Sequence, residues 1–247
     1  MKTLSGLLAG LLFGSVFLPQ ASFAAIALDR TRVIFDGSKN SISLNISNKN
    51  KELPYLAQGW IEDASGKKIE SPLIVLPPLQ RMEPSAKSQV KIQALPGANL
   101  LAQDKETLYY FNLREIPPRS NKANTLQIAL QTRVKMFYRP QALMKSAADL
   151  REVWKKDIVL TREEGKYRVS NNSPYFFTIA TVRSGGKDIS EIKPLMISPK
   201  SSEVLPVSAD RIGNSPEITF INDYGGRPKL SFRCTGTNCS VSDYKEG

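Results

Sequence analysis

The chain has 247 residues, with 34 Lys and Arg against 23 Asp and Glu, a formal net charge of +11, and no histidine. The absence of histidine removes most Ser-His-Asp and Cys-His catalysis and most zinc sites at one stroke. The basic balance suits nucleic acid, anionic lipid or an acidic protein, but Lys and Arg are spread along the chain rather than clustered, which argues against nucleic acid.

In chain order, residues 1–24 read as a secretory signal peptide. Lys2 gives a positive start, 4–18 is apolar, and Ala21-Ser22-Phe23-Ala24 ends in small residues, which predicts cleavage before Ala25. The apolar stretch is too short for a membrane span, and no later run reaches 18 apolar residues. The expectation is an exported, soluble chain with no membrane insertion. The remaining length suits two domains of about 100 residues each.

Segment 26–35 is strand-like and ends at Asp36-Gly37. Segment 41–47 alternates Ile42, Leu44 and Ile46 with Ser41, Ser43 and Asn45. Strands are predicted at 55–62, 73–76, 87–93 and 108–114, separated by turn residues such as Ala64-Ser65-Gly66, Pro77-Pro78 and Pro117-Pro118. Segment 124–139 reads as one long strand. Leu126, Ile128 and Leu130 share one of its faces, and Gln127, Ala129 and Gln131 share the other. So long an apolar row must be buried in its own domain or in another protein; the alternation alone leaves both open. This pattern predicts an antiparallel β-sandwich. Segment 143–154 has a passable helical composition and reads as a linker with a short helix. A second run of strands, at 158–160, 166–169, 175–182, 192–197, 202–207, 217–222 and 229–234, predicts a second sandwich. The class is all-β.

Cys234 and Cys239 are the only cysteines. In an exported chain they read as a local disulfide, contributing roughly 2 kcal/mol for so short a loop. No nucleophile motif, Gly-rich phosphate loop or metal cluster is visible, so no enzyme activity, cofactor or metal is expected.

Segment 101–117, LAQDKETLYYFNLREIP, resembles the signature of the periplasmic pilus chaperones, as do 28–32 (LDRTR), 53–58 (LPYLAQ), 134–140 (VKMFYRP), 221–228 (INDYGGRP) and the terminal cysteine pair. The resemblance covers essentially the whole chain after the signal. It implies two immunoglobulin-like β-sandwich domains, 25–143 and 148–247, in an L or boomerang with an interdomain cleft. It implies a periplasmic chaperone that binds, folds and caps pilus subunits by donor-strand complementation and delivers them to an outer-membrane usher. Leu126, Ile128 and Leu130 would then fill the groove that a subunit leaves open. Arg32 and Lys135 would bind the subunit's C-terminal carboxylate, although Lys135 falls on the opposite strand face from the even-numbered row unless a bulge intervenes or the cleft borders both faces. Glu106, Arg139 and Asp223 would form an interdomain salt-bridge network that sets the cleft angle, with little value in stability if it is exposed. The short loop at 116–123 resembles the subfamily associated with rod-like pili. Implied partners are pilus subunits and the usher, with self-capping by a second copy left open. The competing reading is an Ig-like structural or adhesive pilus subunit, which would lack the Arg32–Lys135 pair and the 101–117 signature.

Overall fold

In the computed structural model the described residues are 24–121 and 124–247. The predicted signal peptide, apart from Ala24, lies outside them. So do Lys122 and Ala123 of the loop before the predicted long strand.

The N-terminal half contains β1 (Ile26–Leu28), β2 (Arg32–Asp36), β3 (Ser41–Asn48), β4 (Tyr55–Asp63), β5 (Lys68–Ile69), β6 (Leu73–Leu76), β7 (Leu79–Met82), β8 (Lys87–Ala94), β9 (Thr107–Ile116) and β10 (Gln131–Arg139). They form two sheets, β1-β3-β8-β6 and β2-β10-β9-β4-β5, with β7 added to β4. Period-2 alternation builds the space between them. Leu44 and Ile46 of β3, Val90 and Ile92 of β8, and Phe111 and Leu113 of β9 are all buried there.

The second half begins with α1 (Ala147–Asp157). The Ser146 side chain caps it by accepting from the Asp149 N–H. Leu150 and Trp154, four residues apart, turn one helical face inward. Trp154 meets the rings of Tyr175, Phe177 and Phe220 at centroid distances of 5.8, 5.6 and 5.7 Å. The strands are β11 (Ile158–Glu163), β12 (Lys166–Asn171), β13 (Phe177–Ser184), β14 (Lys187–Asp188), β15 (Leu195–Ile197), β16 (Ser201–Ser208), β17 (Glu217–Phe220), β18 (Lys229–Thr235) and β19 (Asn238–Lys245), with the short α2 (Ala209–Ile212) between β16 and β17. Eight of them follow one hydrogen-bonded path, β14-β13-β17-β18-β19-β11-β12-β16, with β15 added to β13, and the sheet wraps around a separate core. A disulfide joins Cys234 and Cys239 across the paired ends of β18 and β19.

Several expectations are corrected. The strand predicted at 26–35 is two strands in different sheets, because the chain crosses between layers at residues 29–31. The N-terminal sandwich is not wholly antiparallel, since β10 and β2 run parallel. The strand predicted at 124–139 starts only at Gln131. Its pairing with β9 matches Gln131 to Arg114 and reaches one residue further, where the Glu115 N–H donates to the Leu130 carbonyl at 3.0 Å. Extending that register would put Pro117 and Pro118 opposite Ile128 and Gln127. Neither proline has an N–H to continue the ladder, and the chain leaves the sheet.

Candidate functional site

The site is built on β10. Its even residues Val134, Met136 and Tyr138 enter the N-terminal core. Its odd residues Lys135, Phe137 and Arg139 therefore lie on the opposite face, towards the C-terminal half. The register with β9 runs from Gln131 to Tyr138 without a shift, so no bulge changes the parity of Lys135 there. The parallel partner β2 adds Arg32, Ile34 and Asp36 opposite Lys135, Phe137 and Arg139, giving three successive rungs.

The outermost rung carries two cations. Arg32 is buried at 7% exposure and donates from Nη1 to the Ile221 carbonyl, across the halves, at 3.0 Å. Its guanidinium lies 5.8 Å from the Phe137 ring centroid. Its Nε is buried without a hydrogen-bond partner. Lys135 makes no hydrogen bond or ion pair among the described residues. Burial first, and then the Arg32 charge, hold its pKa below the ordinary lysine value. Burial likewise pulls Arg32 down, against the more distant carboxylates of Asp223 and Glu106. Two desolvated cations with an unmet donor are chemically suited to one carboxylate.

The innermost rung carries Arg139. It reaches Glu106 from Nε at 2.8 Å and Asp223 from Nη1 and Nη2 at 2.6 and 2.9 Å. Glu106 also crosses the interface, accepting from the Phe176 N–H at 2.7 Å, while its own N–H donates to the Pro174 carbonyl at 2.9 Å. The three residues form one connected network, and its setting is buried. The side chains of Arg139 and Glu106 are only 3% and 2% exposed. The small energetic value expected of an exposed network therefore does not apply. Burial pushes the Glu106 carboxyl up to about 6, opposed by Arg139. Burial also works against the charge on Arg139, but bonding to Asp223 and the charge of Glu106 outweigh it and raise its pKa.

Sequence reasoning missed the residues between these rungs. Phe137 meets Phe176 across the interface with ring centroids 5.3 Å apart and planes tilted by 31°, and the Arg139 guanidinium lies 4.9 Å from the Tyr175 ring centroid. A signal was present: Met136-Phe137-Tyr138 breaks the alternation of β10, and a strand apolar on both faces is covered on both.

Before β10, the side chains of Leu126, Ile128 and Leu130 are 83%, 65% and 38% exposed. Burial of this row in its own core, one of the two options left by alternation, does not occur. From Gln131 to Val134 the β10 edge away from β9 has no partner strand among the described residues, because β2 pairs only from Lys135 onward.

These features define a two-lobed β protein with a cationic cleft and an unpaired, apolar strand segment. Residues 25–144 match the family described as pili and flagellar-assembly chaperone, PapD N-terminal domain, and 153–232 match the pili assembly chaperone PapD, C-terminal domain. The chain belongs to this pilus-assembly chaperone family. It is 48% identical over 233 residues to chaperone protein PapD of Escherichia coli, covering 93% of this chain and 95% of that one. It is 45% identical to the probable fimbrial chaperone YfcS of Escherichia coli K12, covering 90% and 88%. The crystal structure of the periplasmic chaperone SfaE superposes with a TM-score of 0.66 at 27% identity, covering 87% of this chain and 99% of that one. The subunit alternative finds no support in these relatives.

Proposed function

We propose that this protein captures pilus subunits in the periplasm by lending them a strand. The observation that carries this reading is the solvent-exposed row Leu126, Ile128 and Leu130, placed directly before the open edge of β10. A subunit lacking one strand would pair its backbone with that edge and seat the row in its groove, so hydrogen bonds supply affinity and alternate side chains supply register. Three large apolar side chains at about 1.5–3 kcal/mol each offset the cost of ordering the segment. Arg32 and Lys135 anchor the C-terminal carboxylate of the client. The Glu106–Arg139–Asp223 network holds the cleft angle. Delivery to an outer-membrane usher follows, and in the empty protein a second copy caps the row. The domain limits are 25–143 and 148–247, after a signal peptide ending at residue 24.

The test is affinity capture from periplasm with mass spectrometry of bound chains. Wild type is expected to retain pilus subunits, and a variant with Glu at 126, 128 and 130 is expected to retain none. Equal retention by both would overturn strand donation.

A further inference from the structure

Beyond the rung of Arg32 and Lys135, towards the connection between the lobes, the cleft does not close. It continues into a pocket of about 510 Å³ whose lining includes Arg32, Ile34, Ile42, Met144, Lys145 and Tyr224. Arg32 is more than nine-tenths buried and its Nε has no partner. The apolar members come from three separate places. Ile34 lies on the next rung of β2, and Ile42 on β3. Met144 follows β10 and is 39% exposed, while Tyr224 comes from the far lobe and is 83% exposed.

Tyr224 is held firmly. Its N–H and that of Gly226 both donate to the Asn222 side chain, at 3.1 and 2.8 Å. Gly225 sits at φ +82°, and a Cβ there would stand 2.5 Å from Thr31 Oγ1 of the N-terminal half. The loop is thus pressed against β2's approach, and Tyr224 is displayed from a fixed base.

We infer that this pocket receives the side chain of the client's last residue and selects a large apolar one. The inference rests on the carboxylate-anchor reading above. A chain paired along β10 and stopped at Arg32 and Lys135 ends one rung short of Ile34 and Phe137. On the β2 side, beyond the two cations, this pocket is open to its final side chain. Ile34, Ile42, Met144 and Tyr224 form the apolar part of an otherwise mostly charged lining, and it is this part that an aliphatic or aromatic group would contact. Arg30, Arg32, Lys39, Arg139 and Lys145 outnumber Asp29, Asp36 and Asp223 around the pocket, so a terminal lysine or arginine is disfavoured.

The test uses a strand-forming synthetic peptide with alternating apolar residues, made as free acid and as amide, ending in Tyr, Leu, Gly or Lys. Binding to the mature protein is measured by calorimetry. Wild type is expected to prefer acid over amide, to bind Tyr and Leu ends roughly tenfold tighter than Gly, and to bind the Lys end weakest. Tyr224→Ala and Met144→Ala together are expected to erase the Tyr-over-Gly preference while keeping acid over amide. An acid preference with no dependence on the last residue overturns this inference alone, as does a Tyr preference that survives both substitutions. Equal binding of acid and amide, or no binding of any acid peptide, overturns the anchor and this inference with it.

Discussion

Lys135 stands directly across from Arg32 on the outermost rung of β2 and β10, the one parallel strand pair among the described residues. The two cations are held side by side by backbone register, and no carboxylate is paired with Lys135. Such a rung costs the empty protein something and gains when an anion arrives. That asymmetry links the stability of the free protein to its capacity for binding.

Removing one cation should therefore stabilise the empty protein. Lys135→Met relieves like-charge repulsion and desolvation; because solvent screens part of both at a half-buried site, it is expected to raise unfolding free energy by less than about 1 kcal/mol. The linkage has a definite sign. A lysine whose folded pKa lies below its unfolded value of 10.5 loses its proton more readily when folded, so wild-type stability gains from this group as pH rises through the folded pKa towards 10.5. The Met variant lacks that gain. Urea unfolding at neutral and alkaline pH checks both points. A less stable variant at neutral pH would show that Lys135 is satisfied in the empty state.

Ile128→Glu separates folding from function. At 65% exposure, the substitution is expected to change stability by less than about 0.5 kcal/mol. Subunit capture should fail, because the charge would enter an apolar groove without a partner. Loss of folding in the empty variant would instead place Ile128 in its own core.

Much of this was legible in the sequence, and the failures have physical causes. Strands with clean alternation, such as β3 and β8, were visible because one face is buried and the other wet. β19 was not, since Asn-Cys-Ser-Val-Ser-Asp-Tyr-Lys offers little apolar face and its strand state comes from pairing with β18 and β11. The row at 126–130 alternates like a sheet strand yet belongs to none, because the pattern is written for a partner and the adjacent prolines stop the ladder. The parity of Lys135 was readable, but the meaning of the second face was not, since the covering residues Pro174 to Phe176 and Ile221 to Asp223 are distant in sequence. Resemblance supplied the Glu106, Arg139 and Asp223 grouping. Its burial comes from the packing of the two lobes against each other, which no local pattern encodes.

The contact between Gly225 and Thr31 predicts a coupling across the lobes. Gly225→Ala meets two obstacles, a left-handed φ of +82° and a Cβ 2.5 Å from Thr31 Oγ1. Together they are expected to cost about 1–3 kcal/mol. Thr31→Ala removes the nearer atom and leaves the Thr31 Cβ at 3.8 Å, an ordinary contact. In a double-mutant cycle by urea unfolding, Thr31→Ala should recover part of the loss, with the remainder due to φ. Strict additivity would mean that the lobes are not pressed together there.

The buried network predicts a pH dependence opposite to that of an ordinary paired carboxylate. Burial raises the Glu106 pKa from 4.5 to about 6. The folded protein therefore binds the Glu106 proton more tightly than the unfolded chain does. The penalty for keeping this carboxylate charged is fully present above pH 6. It declines as pH falls through the folded pKa and is gone below the unfolded value of 4.5. The span corresponds to about 2 kcal/mol. Glu106→Gln keeps the shape and cannot titrate. It leaves Arg139 with Asp223 alone, and it turns an amide nitrogen or oxygen towards the Phe176 N–H. At pH 7 the two proteins should thus differ by the lost ion pair less the relieved desolvation. As pH is lowered from 7 to 4.5, the stability of wild type relative to Glu106→Gln should rise. The other carboxylates are common to both proteins and largely cancel in the difference. Urea unfolding of both at pH 7, 6, 5 and 4.5 reads this directly. A flat difference would mean that Glu106 keeps an ordinary carboxylate pKa, so that Arg139 fully offsets its burial. A difference moving against wild type as pH falls would mean that the ion pair outweighs burial.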